Sequence, residues 1–230
     1  MHEYDLDALV ATSPLNITYF TDYFCWADPL LREYMVRPGG SSQPVMPGFA
    51  LLPATGEPTL IVNAGFAVNA TDVWVRDVRV FGELGFEELR PPSEWEPRAR
   101  RIFDIIQAST DASSSVAALA RVLGERGLAE ARIGLELEGL AVEAVRRFRS
   151  ALPRASIGDC TNLIRLIRAV KSDEEIARLR RAAEIAERAA AETLAQAQPS
   201  RRLLELKQEY RTRVAALGAD FDHFLFGFQG

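Results

Sequence analysis

The stretch Val170–Gln198 constrains this chain more than any other. Ser172 is followed three residues later by Glu175, the spacing of a capping box, in which each side chain satisfies a backbone N–H that the first helical turn leaves unpaired. A helix therefore begins sharply here, with a cap worth about 0.5–2 kcal/mol. Ile176, Leu179, Ala183, Ala186, Ala190 and Leu194 recur at steps of three and four and mark the expected packed face, while Arg178, Arg181, Glu184, Arg188 and Glu192 fall mostly on the other side. Glu174 with Arg178, and Glu184 with Arg188, set an acid four residues before a base, the favourable order. Pro199 stops the pattern, so the expected rod has about 26 residues and runs about 39 Å at about 1.5 Å per residue. The residues before it read as one domain, and those after it as the start of another.

The chain has 230 residues, 48% hydrophobic and 26% charged, enough for one large or two modest domains. No apolar run approaches the length of a membrane span, and Met1-His2-Glu3-Tyr4-Asp5 is acidic with no apolar segment behind it, so a soluble, cytoplasmic protein without membrane partners is expected. The net charge of -5 argues against nucleic acid as a partner. Lys171 and Lys207 are the only lysines among 27 basic residues; this skew toward arginine reads as coding bias, and the Arg clusters as solvated helix faces. Cys25 and Cys160 lie far apart, which fits reduced thiols. Asn16-Ile17-Thr18 and Asn69-Ala70-Thr71 match the glycosylation pattern by chance.

In order along the chain, Asp7–Thr12 is a short apolar strand that ends at Ser13-Pro14, a cap followed by a helix-starting proline. Phe24–Pro47 is a long aromatic, Gly- and Pro-containing loop, of the kind that is functional or disordered. Gly48–Pro53 and Pro58–Val62 flank a turn at Gly56 and read as a hairpin. Val73–Val75 and Arg79–Phe81 read as two further strands, and Ser93 and Ser113–Ser115 open helices that end near Ala108 and Gly127. A strand at Arg132–Glu136, a helix at Leu140–Leu152 and a strand at Ala155–Cys160 complete this part of the chain. The expected fold class is therefore α/β, a mixed sheet flanked by helices. Beyond Pro199, Leu203–Leu217 is a helix with Gly218 as its C-cap, and Phe221–Phe228 is a strand-like run.

Three stretches resemble one family. Arg165–Ile176, Leu6–Tyr23 with its apolar strand, Ser-Pro turn, Asn and Tyr, and Ile133-Gly134-Leu135-Glu136 are similar to the creatinase, prolidase and aminopeptidase P superfamily. The resemblance implies an N-terminal domain over residues 1–165. It also implies that residues 166–230, two helices and a strand, begin an incomplete α+β "pita-bread" catalytic domain. By the same resemblance the parent protein is a cytoplasmic hydrolase that cleaves a C–N bond in a small substrate, such as an Xaa-Pro dipeptide or peptide, and acts as a homodimer. Two divalent metal ions (Mn, Zn or Co) are implied for the full-length parent. Their side-chain ligands in the family come after the segment that ends here, so no catalytic or metal-binding residue is assigned within residues 1–230, and this chain alone is expected to be inactive. A metal-free creatinase-type hydrolase, or a non-catalytic dimerising or binding module, are the alternatives.

In relatives the region after Tyr23 leans over the neighbouring subunit's pocket, which would bring Phe24, Trp26, Arg32 and Arg37 to a substrate; the plainer reading is that Phe24 and Trp26 cover a sheet edge. His223, beside Asp220 and Asp222, has too few companions for a closed metal site, and it precedes the family's catalytic position. His2 sits at the terminus. There is no G-x-G-x-x-G after a strand, no Walker A, no H-E-x-x-H and no G-x-S-x-G.

Overall fold

The computed structural model describes residues 4–24, 48–82, 96–107, 112–138, 140 and 142–220. It divides into two units, residues 1–167 and 168–230.

The first unit is built on a six-stranded mixed sheet. Its strands are β1 (Ala8–Ala11), β2 (Phe49–Pro53), β3 (Thr59–Asn63), β4 (Asp77–Phe81), β5 (Arg132–Leu135) and β6 (Ser156–Asp159), in the spatial order β4-β3-β2-β1-β5-β6. β1, β2 and β3 pair antiparallel in sequence, while β4 runs parallel to β3, β5 to β1 and β6 to β5. The β2–β3 turn needs Gly56, whose φ of +99° an L side chain rarely adopts.

Period-two alternation sorts the strand residues onto two faces. Leu9, Ala11, Ala50, Leu60, Val62, Val78 and Val80 face one layer, with Ile17 from α1 (Pro14–Thr21), Ile105 from α2 (Pro97–Gln107) and the alanines of a 3-10 helix, Ala64–Ala70. Ala8, Val10, Leu51, Ile61, Ile133 and Leu135 face the other, under α3 (Ser115–Glu125) and α4 (Val142–Ala151), where Phe148 meets Phe49 edge-on at 5.3 Å. α5 (Thr161–Ala169) comes directly after β6 and returns Ile164 to the first layer. Gly134 faces that layer at a place with no room for a side chain. A Cβ there would lie 2.8 Å from Cys160 Cβ and 2.8 Å from Leu6 Cδ1.

The second unit contains α6 (Asp173–Leu194) and α7 (Leu203–Ala216). The capping box is present: Glu175 N donates to Ser172 Oγ at 3.2 Å, and Ser172 N donates to Glu175 Oε2 at 2.7 Å. Arg178 pairs with Glu174 at 2.6 Å as expected, but Arg188 turns forward to Glu192 at 2.8 Å instead of back to Glu184. Glu192 also accepts from Arg213 of α7, so it offers Arg188 a carboxylate that is already part of a network.

Several expectations need correction. The rod ends at Leu194 rather than Gln198, because the chain turns through residues 195–202 before α7. Its packed face is Ile185, Ala189 and Thr193, opposite Tyr210 and Val214, while Leu179 and Leu194 are more than half exposed. The apolar stripe in the sequence is wide, and the partner helix selects one edge of it. Val73–Val75 is not a strand, since the chain there is still leaving the 3-10 helix, and β4 starts at Asp77. The Phe221–Phe228 run lies outside the described residues.

Candidate functional site

Of the four residues expected at a neighbouring pocket, Phe24 is described and is 62% exposed. Trp26, Arg32 and Arg37 lie outside the described residues, as do His2, Cys25 and His223. The polar chemistry that the structure does bring together sits at the carboxyl ends of β1, β5 and β6.

Glu136 immediately follows β5 and is 2% exposed. Its Oε2 accepts the backbone N–H groups of Thr12 at 2.8 Å and Ser13 at 2.9 Å, and its Oε1 accepts Asn16 Nδ2 at 2.5 Å. Thr12 Oγ1 closes the same turn by donating to the Glu136 carbonyl at 2.8 Å. The carboxylate thus stands at the N-terminus of α1, where free N–H groups and the helix dipole both favour an anion. Ser13 caps the helix as expected, its Oγ accepting Asn16 N at 3.3 Å, and Pro14 fills the first position. Asn16, the nominal glycosylation acceptor, is buried against Glu136.

One strand over, Asp159 Oδ1 accepts Thr161 Oγ1 at 2.6 Å, Thr161 N at 2.9 Å and Leu137 N at 3.4 Å. Burial pushes this carboxyl up, but those hydrogen bonds and the charge of Arg165 outweigh it and hold it below the usual range. Between the two acids lies Cys160, 2% exposed. Burial first, then the charges of Glu136 and Asp159, push its thiol up to about 12, so it stays protonated and acts as a packing group.

Sequence reasoning marked Glu136 as part of a motif and missed what it binds. The signal was an acid directly after an apolar strand, in a chain whose strand β1 runs on into Ser13-Pro14.

In the second unit, Ala177, Ala182, Ile185 and Ala219 floor an open groove of about 450 Å³, rimmed by Glu174, Arg178 and Arg181. Among the described residues no group of three or more His, Cys, Asp or Glu side chains is placed to hold a metal ion. They therefore do not fit a divalent-metal pair, and no chemical step is assigned to one here.

Comparison with known proteins matches this geometry to a family. The Creatinase/Prolidase N-terminal domain family matches residues 1–170. The X-Pro aminopeptidase of Thermotoga maritima superposes with a TM-score of 0.62 at 16% identity, covering 93% of this chain and 47% of that one. The Xaa-Pro dipeptidase of Bacillus anthracis gives 0.59 at 15% identity, with 94% and 46% covered. A Sinorhizobium fredii protein described as an uncharacterized hydrolase/peptidase is 44% identical over 66 residues, 28% of this chain and 17% of its own length. The chain spans about half the length of these two solved structures. The match over residues 1–170, most of the chain, places it in the creatinase/prolidase N-terminal domain family.

Proposed function

We propose that this chain is the N-terminal part of a cytoplasmic hydrolase that cleaves a C–N bond in a small substrate, most simply an Xaa-Pro dipeptide or peptide. The observation that carries this reading is the reach of the structural likeness. It covers 93% of the chain in the aminopeptidase comparison, past the family match at residue 170 and into the second unit. In this reading α6 and α7 are the first helix pair of a pita-bread catalytic domain, and the catalytic groups and two divalent ions belong to residues outside 1–230. The protein acts as a homodimer, with Phe24, Trp26, Arg32 and Arg37 leaning over the neighbouring subunit's substrate.

The test is an assay of proline dipeptides, with and without manganese, on the protein expressed from the whole gene beside the 230-residue chain. Turnover by the former alone is the expected result. Metal-dependent turnover by residues 1–230 would overturn the placement of the catalytic groups. No turnover by either, on proline dipeptides or on guanidino compounds, would favour a non-catalytic binding module.

A further inference from the structure

β6 is the last strand of the sheet and forms one of its edges. In its parallel pairing with β5, Ser156 N donates to the Ala131 carbonyl at 3.0 Å and Cys160 N to the Leu135 carbonyl at 3.1 Å. Backbone groups along a strand point alternately to its two sides, so Ile157 and Asp159 aim theirs at the open side. Among the described residues nothing accepts from the N–H of either. Sheet edges are normally blunted by proline, by lysine or by charged side chains laid across them. The opposite edge, β4, carries the ion pair of Asp77 and Arg79. β6 reads Ser-Ile-Gly-Asp, and its single carboxylate turns back to Thr161 and Leu137. Ser156 is exposed, and a side chain on Gly158 would meet nothing within 4 Å. Among the described residues, then, nothing stops another strand from approaching.

We infer that β6 is a self-association surface: a second copy of this chain pairs with it antiparallel, about a two-fold axis at Ile157, and carries the sheet across both molecules. The free backbone groups select this register. In it each Ile157 N–H meets the Ile157 carbonyl of the second copy, and each Asp159 N–H meets the Ala155 carbonyl, so every outward donor finds an acceptor. The Ala155 N–H is already spent on the Leu152 carbonyl at 3.2 Å, and this register makes no use of it. Charge separates it from its neighbour. An axis at Gly158 would bring the Asp159 carboxylates of the two copies within two positions of each other. The axis at Ile157 moves them apart and sets each Asp159 beside Arg154 of the second copy, whose pair with Glu130 is largely exposed and free to exchange. A foreign strand would find the same donors without this closure of charge and register. The contact is smaller than a standard interface of roughly 1,200–2,000 Å², so a dissociation constant on the order of 100 µM is expected. The inference does not rest on the peptidase reading above, which turnover tests; association alone reads this one.

Sedimentation equilibrium of the 230-residue chain from about 10 µM to about 1 mM should show monomer passing into dimer. Ser156→Lys combined with Gly158→Lys crowds like charges at facing positions and should weaken association by at least about tenfold. Its urea midpoint should match that of the wild type, since both positions are open. Mixing this variant with Ser156→Glu/Gly158→Glu should restore a dimer of unlike copies. If the lysines prevent folding, cysteines read the same geometry. S156C and G158C, mixed and oxidised, should cross-link, because facing residues of this kind have Cα atoms about 4.5 Å apart, within disulfide reach. Neither should cross-link alone, because each lies about 7–8 Å from its own counterpart. Cys25 and Cys160 are present in every sample and do not distinguish them. The inference is overturned if the chain stays monomeric at about 1 mM. It is equally overturned by a dimer that the lysine pair leaves intact, which would lie elsewhere on the chain, or by S156C or G158C cross-linking alone as fast as the mixture.

Discussion

Arg126 Nη2 lies 2.7 Å from Asp77 Oδ2, tying the residue just after α3 to the first residue of β4. The same guanidinium donates through Nη1 to the Glu57 carbonyl at 2.5 Å, in the β2–β3 turn. One side chain thus joins three elements, and both partners of the ion pair are about three-quarters buried. Arg126→Met keeps the apolar stem and loses both bonds. It should cost about 1–2 kcal/mol by urea unfolding, against less than about 0.5 kcal/mol for Arg98→Met, whose pair with Asp72 is mostly exposed.

Asp7 faces Arg132 through bonds of 2.8, 2.9 and 3.1 Å, and Arg132 also meets Asp5. The Arg132 guanidinium and N–H hold the Asp7 carboxyl at about 2, below its ordinary 3.8. A group with a depressed folded value stabilises the fold fully above the unfolded value and loses that contribution as pH falls through the folded one. Urea midpoints should therefore drop between about pH 4 and pH 2, and Asp7→Asn should flatten part of that limb. An acid limb unchanged in the variant would contradict this assignment.

Gly134→Ala should destabilise the first unit by about 1–3 kcal/mol, since the new methyl has no space between Cys160 and Leu6. Cys160→Ala leaves Cβ in place and should not rescue it, whereas Cys160→Gly should do so partly. Thermal unfolding followed by tryptophan fluorescence separates these outcomes.

In the 230-residue chain, Ile185→Ala should cost about 2–4 kcal/mol in the second unit, because Ile185 is buried and packs there with Ala189, Tyr210 and Val214. Leu179→Ser, on the exposed side of the same helix, should stay within about 0.5 kcal/mol. Helicity by circular dichroism during urea unfolding distinguishes the two.

Local chemistry made much of this architecture readable. Ser13-Pro14, the Gly56 turn, the serine cap before α3 and the Ser172–Glu175 box each act within a few residues, and each lies where its residues place it. What was hidden depended on distant partners. The buried edge of α6 is chosen by Tyr210 and Val214, and Glu136 finds its donors 120 and more residues away. α5 is hidden in the sequence because its Arg and Leu run resembles a junction between domains more than a helix following a strand.

β1 is the earliest strand in the chain, yet it sits in the interior of the sheet between β2 and β5. During synthesis it leaves the ribosome with one neighbour soon to emerge and the other more than a hundred residues behind. A nascent chain stopped before residue 132 would hold four of the six strands, with β1 bare along one side. That edge is open to pairing with any other strand until β5 emerges and Glu136 closes the turn behind it.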